Sequence, residues 1–332
     1  MYGRSGNTER HGRESRENEI LRRLASSKRK HHLIDKLAAA CGLDRSELDA
    51  ILERMEAEGH LVRTRKGRVA LAHRLGLASG TLKVGRRGRA VVVTDEGGES
   101  VAVDGNSLRP ALDGDRVLVE LLPYRRRGRP AGSVKRVLAR GRGSISATLA
   151  KRGERVLAPT DPRIGYLAVL DDDSPCPQPQ EVVVASITAY PSSHSDLKVR
   201  VERALGPAGS LPTEIESVCH FMGIAEAFSP EAEEEAARLE GPGPDSVAGR
   251  LDLRGRTVIT IDPADARDFD DAVAIEPKDG GGWRLAISIA DLAHYVRPGS
   301  ALDEEARQRS TSVYLPGRAI HMLPRRLSAD LA

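Results

Sequence analysis

The sequence predicts a multidomain α+β protein: a winged-helix domain, two OB-type barrels and the beginning of a mixed α/β domain. Three observations carry this. Apolar residues repeat at helical spacing up to Met55, and the period changes from Gly80 onward to that of short strands between Gly- and Asp-rich turns. Helical patterns then return ahead of a β-branched run that ends in clustered aspartates. A chain of 332 residues with 39% hydrophobic content is long enough for two or more domains.

Residues 1–17 are polar and arginine-rich and read as a disordered tail. Within 18–75, Ile34, Leu37 and Ala38 suit one helical face, and Gly42 follows as a stop. Asp44 and Glu47 form a capping-box pattern that opens a second helix. Its apolar residues Leu48, Ile51, Leu52 and Met55 repeat at i, i+3, i+4 and i+7 before Gly59. Residues 60–64 and 68–71 read as two strands around a turn at Lys66 and Gly67. Helix, helix and two-stranded wing is the winged-helix pattern, which suits either a nucleic acid or a protein partner.

Residues 79–142 form the first barrel, with strands at 81–84, 90–94, 100–103, 116–122 and 133–139 and turns at Gly97-Gly98 and Asp113-Gly114-Asp115. Residues 143–205 form a second, less regular one, with strands at 144–149, 165–170, 181–188 and 197–204, interrupted by a proline-rich loop at 174–180. Residues 206–332 begin the last domain. Two helices lead into it, one starting at Thr213 with Glu216 completing a capping box, the other at Ser229 with Pro230 in its first turn and Gly241-Pro242 as the stop.

The run TVITIDPADARDFDDAVAIE at 257–276 places Asp262, Asp268, Asp270 and Asp271 close together, directly after a strand that reads as buried. Four carboxylates this close repel one another unless a cation neutralises them. Hard divalent ions take oxygen ligands, and Mg²⁺ is usually shared between a few carboxylates and a substrate phosphate. An EF-hand calcium loop fails on register, because no aspartate here is followed by Gly at position six and Glu at position twelve. An ordinary acidic surface loop is the plain alternative.

The net charge of +3 says little, but its distribution is uneven. Arg125, Arg126, Arg127 and Arg129 open a series of cations that reaches Arg142 without an intervening acid, as a phosphate-backbone binder would require. Cys41, Cys176 and Cys219 form neither a C-x-x-C motif nor a disulfide framework, so a reducing cytoplasm is the expected setting. No apolar run is long enough to span a bilayer, and no partner membrane is expected. The G-x-x-x-x-G-K-[ST] phosphate loop is absent from the sequence, so nucleotide hydrolysis is not inferred.

The acidic run, the segment WRLAISIADLAHY at 283–295 and the stretch TSVYLPGRAIHMLP at 311–324 together resemble the start of the catalytic domain of the ribonuclease II and ribonuclease R family. The resemblance extends to the AD-x-x-HYV-x-PGS-x-LD and MLP-x-x-LS blocks. It implies two cold-shock barrels ahead of an RNB catalytic domain, and a processive 3′ to 5′ exoribonuclease that uses Mg²⁺ to release nucleoside 5′-monophosphates from single-stranded RNA. By resemblance Asp262, Asp268 and Asp271 are metal-site ligands, Asp270 joins them as the acid most directly tied to catalysis, and Tyr314 stacks on a base near the 3′ end. A half-buried core tyrosine is the alternative for Tyr314. The family's catalytic domain continues beyond its MLP-x-x-LS block, so an incomplete domain with weak activity of its own is the expectation for residues 206–332. A monomer is expected.

One departure from the family pattern lies in the first barrel. Where relatives carry a Gly-Phe-Gly-Phe element for base stacking, this chain has Gly88, Arg89, Ala90 and Val91. Arginine can stack and pair with phosphate, so RNA grip there is expected to be more electrostatic and more salt-sensitive. The opposing functional reading is a non-catalytic winged-helix and cold-shock RNA-binding or regulatory protein with a vestigial acidic loop. His294, the adjacent Cys219 and His220, and Trp283 read as packing residues, and Arg267 as a phosphate contact or a local counter-ion.

Overall fold

The computed structural model describes residues 5–331 except 65, 86–87, 106–107, 109, 152–154, 193–194, 244–246, 248, 265, 267–268 and 270, with side chains from residue 16 onward. It divides into two compact units, residues 1–217 and 218–332.

The first unit opens with α1 (Ser5–Ser26), β1 (His32–Leu33), α2 (Ile34–Cys41), α3 (Arg45–Ala57), β2 (Leu61–Thr64) and β3 (Arg68–Leu71), the strands forming an antiparallel sheet in the order β1-β3-β2. As the sequence predicts, Gly42 closes α2 in the left-handed region (φ 64°), and the Asp44 carboxylate caps α3 by accepting the Glu47 N–H at 2.8 Å. Of the disordered tail expected at 1–17, the described part, from Ser5, lies in α1. Ile20 and Leu24, each 1% exposed, anchor that helix in the core beside Leu48, Leu52 and Leu61, with Leu21 packed against it part-buried. Ion pairs from Arg16 to Glu47 and from Glu17 to Arg54 add to the hold. Two buried positions near the end of a long polar segment give no helical period to read, which is why tertiary contact rather than pattern reveals the element.

Two closed five-stranded barrels follow. The first contains β4 (Leu77–Val84), β5 (Ala90–Thr94), β6 (Val101–Val103), β7 (Arg116–Arg126) and β8 (Arg129–Ala139), joined in the order β4-β5-β6-β8-β7. The second contains β9 (Ser144–Leu149), β10 (Val156–Pro159), β11 (Ala168–Leu170), β12 (Glu181–Ala189) and β13 (Leu197–Pro207), in the order β10-β11-β13-β12-β9. Leu82, Val92, Val117 and Val119 fill one interior, and Ile145, Ala147, Leu157 and Leu197 the other. Strand β10, absent from the sequence reading, is four residues long and ends on Pro159, too short to show alternation.

The connection between the barrels overturns part of the expected basic stripe. Arg142 reaches Asp113 of the first barrel at 3.2 Å and Asp161 of the second at 3.0 Å, and Arg163 reaches the same two acids at 3.1 Å each. Arg140 donates to Asp115 at 2.9 Å, and Asp115 also accepts the Leu112 and Gly141 N–H groups. Gly141 permits this because a Cβ there would stand 2.2 Å from the Gly114 carbonyl oxygen. These arginines are structural partners of buried acids, so their charge is not offered to a ligand.

Helix α4 (Leu211–Met222) spans the boundary between the units. It begins earlier than predicted, capped by the Ser210 hydroxyl with the Glu214 carboxylate returning to the Gly209 N–H at 3.0 Å. The second unit contains α5 (Pro230–Ala237), β14 (Asp271–Pro277), β15 (Trp283–Ile289), α6 (Ala301–Arg309), β16 (Val313–Leu315), β17 (Arg318–Ile320) and a final helical segment Arg326–Leu331. Ser229 caps α5 as predicted. Ala232, Ala236, Leu302, Leu323 and Leu327 form its small core, and Glu235 accepts the Leu302 N–H to join α5 to α6.

The strand before Asp262 does not form as predicted. Of that run only Ile259 pairs, exchanging hydrogen bonds of 3.0 and 2.8 Å with Val273. Ile259 is 53% exposed and Ile261 82%, and Trp283, Leu285, Ile287 and Ile289 of β15 are exposed as well, so the expected packing of Trp283 is not found. The β-branched composition is right for a sheet, but among the described residues nothing covers this face, and a strand's burial is decided by its cover.

Candidate functional site

Because Ile259 pairs antiparallel with Val273, the residues that follow Ile259 and those that precede Val273 lie toward the same end of the ladder. Asp262, three residues past Ile259, and Asp271, the first residue of β14, therefore emerge at that end, and both are exposed. Asp268 and Asp270, with Arg267, lie outside the described residues in the connection between them. Among the described residues no group of three or more His, Cys, Asp or Glu side chains converges on one point.

Charge pairing separates these acids from their neighbours. Asp252 is held by Arg254 at 2.8 Å, Glu276 by Arg256 at 3.1 Å and Asp291 by Arg250 at 2.6 Å. The guanidinium beside Asp252, and likewise that beside Asp291, holds the carboxyl below its usual range through the hydrogen bond it donates. Asp262 and Asp271 have no such arginine among the described residues. The donor set the sequence offers at this end is oxygen-only and anionic, the chemistry of a hard divalent cation rather than of zinc. His294 is half-buried, 3.3 Å from the Arg250 guanidinium and edge-on to the Tyr295 ring, consistent with its packing role.

Tyr314 lies in β16, opposite Ala319 of β17, and is 72% exposed. The hairpin that presents it is pinned by Arg318, which donates to both oxygens of Glu226 at 2.9 and 3.1 Å. The core-tyrosine alternative does not hold. An aromatic face that open to solvent on a tied hairpin is available for stacking.

On the first barrel, Arg126 and Arg129 face each other across a two-residue turn whose residues, Arg127 and Gly128, both have positive φ (52° and 83°). Such mirror-image turns favour Asn-Gly, and holding an arginine left-handed costs about 1–2 kcal/mol. Arg125 is paired with Glu99 at 2.6 Å and Arg126 with Asp104 at 2.8 Å. Arg127, Arg129 and Arg89 have no carboxylate partner among the described residues, and with Arg126 they line one groove beside β5 and β6. The structure thus brings Arg89 to the hairpin and leaves three of the five predicted cations uncommitted. Sequence reasoning missed Tyr124, which stands exposed on β7 next to these arginines. Its signal was an aromatic in a strand otherwise turning to arginine.

Comparison with known proteins gives three family matches: the RNB domain over residues 250–332, the ribonuclease B OB domain over 80–137 and a cold shock domain over 157–229. Ribonuclease R of Thermotoga maritima is 36% identical over 308 residues, covering 89% of this chain and 42% of that protein. Ribonuclease R of Escherichia coli is 34% identical over 283 residues, covering 84% of this chain and 35% of that protein. The chain therefore spans less than half the length of these two relatives. Among solved structures, Mycoplasma genitalium RNase R in complex with ribose-methylated single-stranded RNA aligns with a TM-score of 0.67 at 26% identity, over 76% of this chain and 41% of that one. Yeast Ssd1, a pseudonuclease, shares the fold, with a TM-score of 0.59 at 20% identity over 77% of this chain and 39% of that one.

Proposed function

Because the chain belongs to the ribonuclease R and ribonuclease II family, we propose that it serves 3′ to 5′ exoribonucleolysis, in which single-stranded RNA is hydrolysed processively to nucleoside 5′-monophosphates with Mg²⁺ as cofactor. The observation that carries this is the pair Asp262 and Asp271, exposed at one end of a ladder and without an arginine partner among the described residues, whereas Asp252, Glu276 and Asp291 each have one. In this reading Asp262, Asp268, Asp270 and Asp271 hold the ion. When bound, Mg²⁺ supplies a Lewis acid for the phosphodiester and lowers the pKa of water.

The other residues grip and position. Tyr314 stacks on a base near the 3′ end, and Arg89, Arg127 and Arg129 hold backbone phosphates upstream on the first barrel. We read residues 18–75 as a winged-helix domain, supported by the order of helices and the β2–β3 hairpin. The test is the release of nucleoside 5′-monophosphates from single-stranded RNA with and without Mg²⁺. Binding without release would favour the non-catalytic RNA-binding alternative.

Two further results are expected. Tyr314→Ala weakens binding of a 3′ single strand by about 1–3 kcal/mol, the worth of one base stack. Fluorescence anisotropy measures this, and an unchanged Kd would remove Tyr314 from the site. Changing Arg89, Arg127 and Arg129 together to Gln reduces the slope of log affinity against log salt by about 2, because each phosphate contact on a single strand contributes about 0.7. An unchanged slope would show that these cations face solvent only.

A further inference from the structure

Tyr314 stands on a hairpin that has little of its own to hold it. Strands β16 and β17 are three residues each, and among the described residues no third strand joins them. Pro316 and Gly317, the latter at φ 79°, close the turn in a combination that fits type II, whose twist opposes that of paired strands. A two-stranded hairpin of this kind is marginal in water. Its orientation has to come from anchors outside it.

Alternation gives the two faces of the hairpin different roles. Residues directly opposite each other share a face, so Tyr314 and Ala319 lie on one side, and Val313, Leu315, Arg318 and Ile320 on the other. Ile320 is 8% exposed, which marks the second face as the inward one. Arg318 on that face forks onto Glu226 at 2.9 and 3.1 Å, and the nitrogen that makes the longer bond also lies 3.8 Å from the Cys219 Sγ. A further tie is the Met322 N–H, which donates to the Ser312 hydroxyl at 3.0 Å. Holding Arg318 inward leaves Tyr314 facing out.

Glu226 is in turn held on both sides along the chain. The Arg309 guanidinium, only 8% exposed, donates to the carbonyl oxygens of Ala225 and Ala227 at 2.8 and 2.6 Å and lies 3.9 Å from the centre of the Phe228 ring. It also reaches the His321 carbonyl, just past β17, at 3.4 Å. Glu305 accepts from Arg309 at 2.8 Å and from the Ser229 N–H at 3.2 Å, tying the same segment to α6. The acid thus sits on a fixed strap, while its own pair with Arg318 is part-exposed. Such a pair adds little to global stability, but a forked one sets direction.

On the reading that Tyr314 stacks on a base near the RNA 3′ end, we propose that Glu226 is a positioning residue for that end: through Arg318 it fixes the orientation in which the β16–β17 hairpin presents the tyrosine ring. Charge and positioning predict opposite signs for the loss of Glu226. Removing an acid near an RNA path tightens binding by charge alone. Removing an anchor weakens it, because the ring must then be ordered on binding.

The test uses the full 332-residue chain with Glu226→Ala, Tyr314→Ala and the two together. Glu226 lies outside the hydrophobic core, and an unchanged melting curve verifies folding. Hydrogen exchange of the 313–320 amides in Glu226→Ala is expected to quicken by about two- to fivefold, the worth of the lost pair. Affinity for a 3′ single strand, read by fluorescence anisotropy, is expected to fall by about two- to tenfold, the cost of ordering one side chain. In the Tyr314→Ala background the same change should have no further effect, since the anchor acts through the ring. Arg318→Lys, which keeps the charge but cannot fork over both carboxylate oxygens, should quicken exchange as well. Unchanged exchange or tighter RNA binding in Glu226→Ala would overturn the proposal, as would an equal loss of affinity with and without Tyr314. Quickened exchange beside a Tyr314→Ala variant of parental affinity would instead overturn the stacking reading on which it rests.

Discussion

Asp270→Asn is expected to abolish RNA hydrolysis while leaving RNA affinity within twofold of the unchanged protein. The substitution keeps the volume of the side chain and removes its charge, so the grip proposed for Tyr314 and the barrel arginines should persist while the acid proposed to be most directly tied to catalysis is lost. Interactions needed only in the transition state appear in turnover and not in ground-state binding. The loss should exceed the roughly 10–100-fold that removal of a residue merely supporting a metal ligand costs. Mononucleotide release under single-turnover conditions, beside a filter-binding Kd, separates the two quantities. Turnover near that of the unchanged protein would refute the assignment of Asp270.

A comparably large effect, on stability rather than chemistry, is expected from Asp115→Ala. Asp115 is 0% exposed and accepts from Arg140 at 2.9 Å, Leu112 N–H at 2.9 Å and Gly141 N–H at 2.8 Å. Removing the carboxylate takes the counter-ion from a part-buried guanidinium, which keeps only the Pro110 carbonyl as acceptor, and leaves the Leu112 and Gly141 N–H groups without theirs, a change that costs about 3–5 kcal/mol. For a unit of this size that corresponds to a fall of roughly 6–20 °C in the melting temperature. Asp115→Asn should fall between the two, because an amide oxygen can still accept from one of the N–H groups. Calorimetry on the 332-residue chain reads the shift, and a melting temperature within 2 °C of the parent would show that the network carries little stability. Substitution of Asp173, whose exposed pair with Arg200 at 2.9 Å is screened by solvent, is the contrasting control.

The residues that were legible in the sequence share a physical property: their role is set by neighbours close along the chain. The Asp44 and Ser229 caps, the Gly42 stop and the alternating strands of both barrels each depend on contacts within a few residues or on a strict period. Helix α1 and strand β10 escaped because their placement rests on a few long-range contacts, such as Ile20 and Leu24 packing beside Leu48. The acidic cluster was legible as a group of like charges, but the sequence could not distinguish free acids from paired ones, since Arg256 and Arg250 find Glu276 and Asp291 only in space.

The cations show the same division most sharply. Read along the chain, Arg125 to Arg142 is one unbroken positive stripe. In the fold, Arg140 and Arg142 turn inward to Asp115, Asp113 and Asp161, Arg125 and Arg126 take Glu99 and Asp104, and Arg127 and Arg129, beside Arg89, have no carboxylate partner among the described residues. The sequence by itself determined the two barrels, the family and the residue types at the acidic end, because strand periodicity, motif blocks and local spacing encode them. Only the tertiary structure decided which charges remain free to meet a ligand, because a charge is neutralised by whatever folding brings within a few ångströms of it, and that distance is not a property of the chain's order.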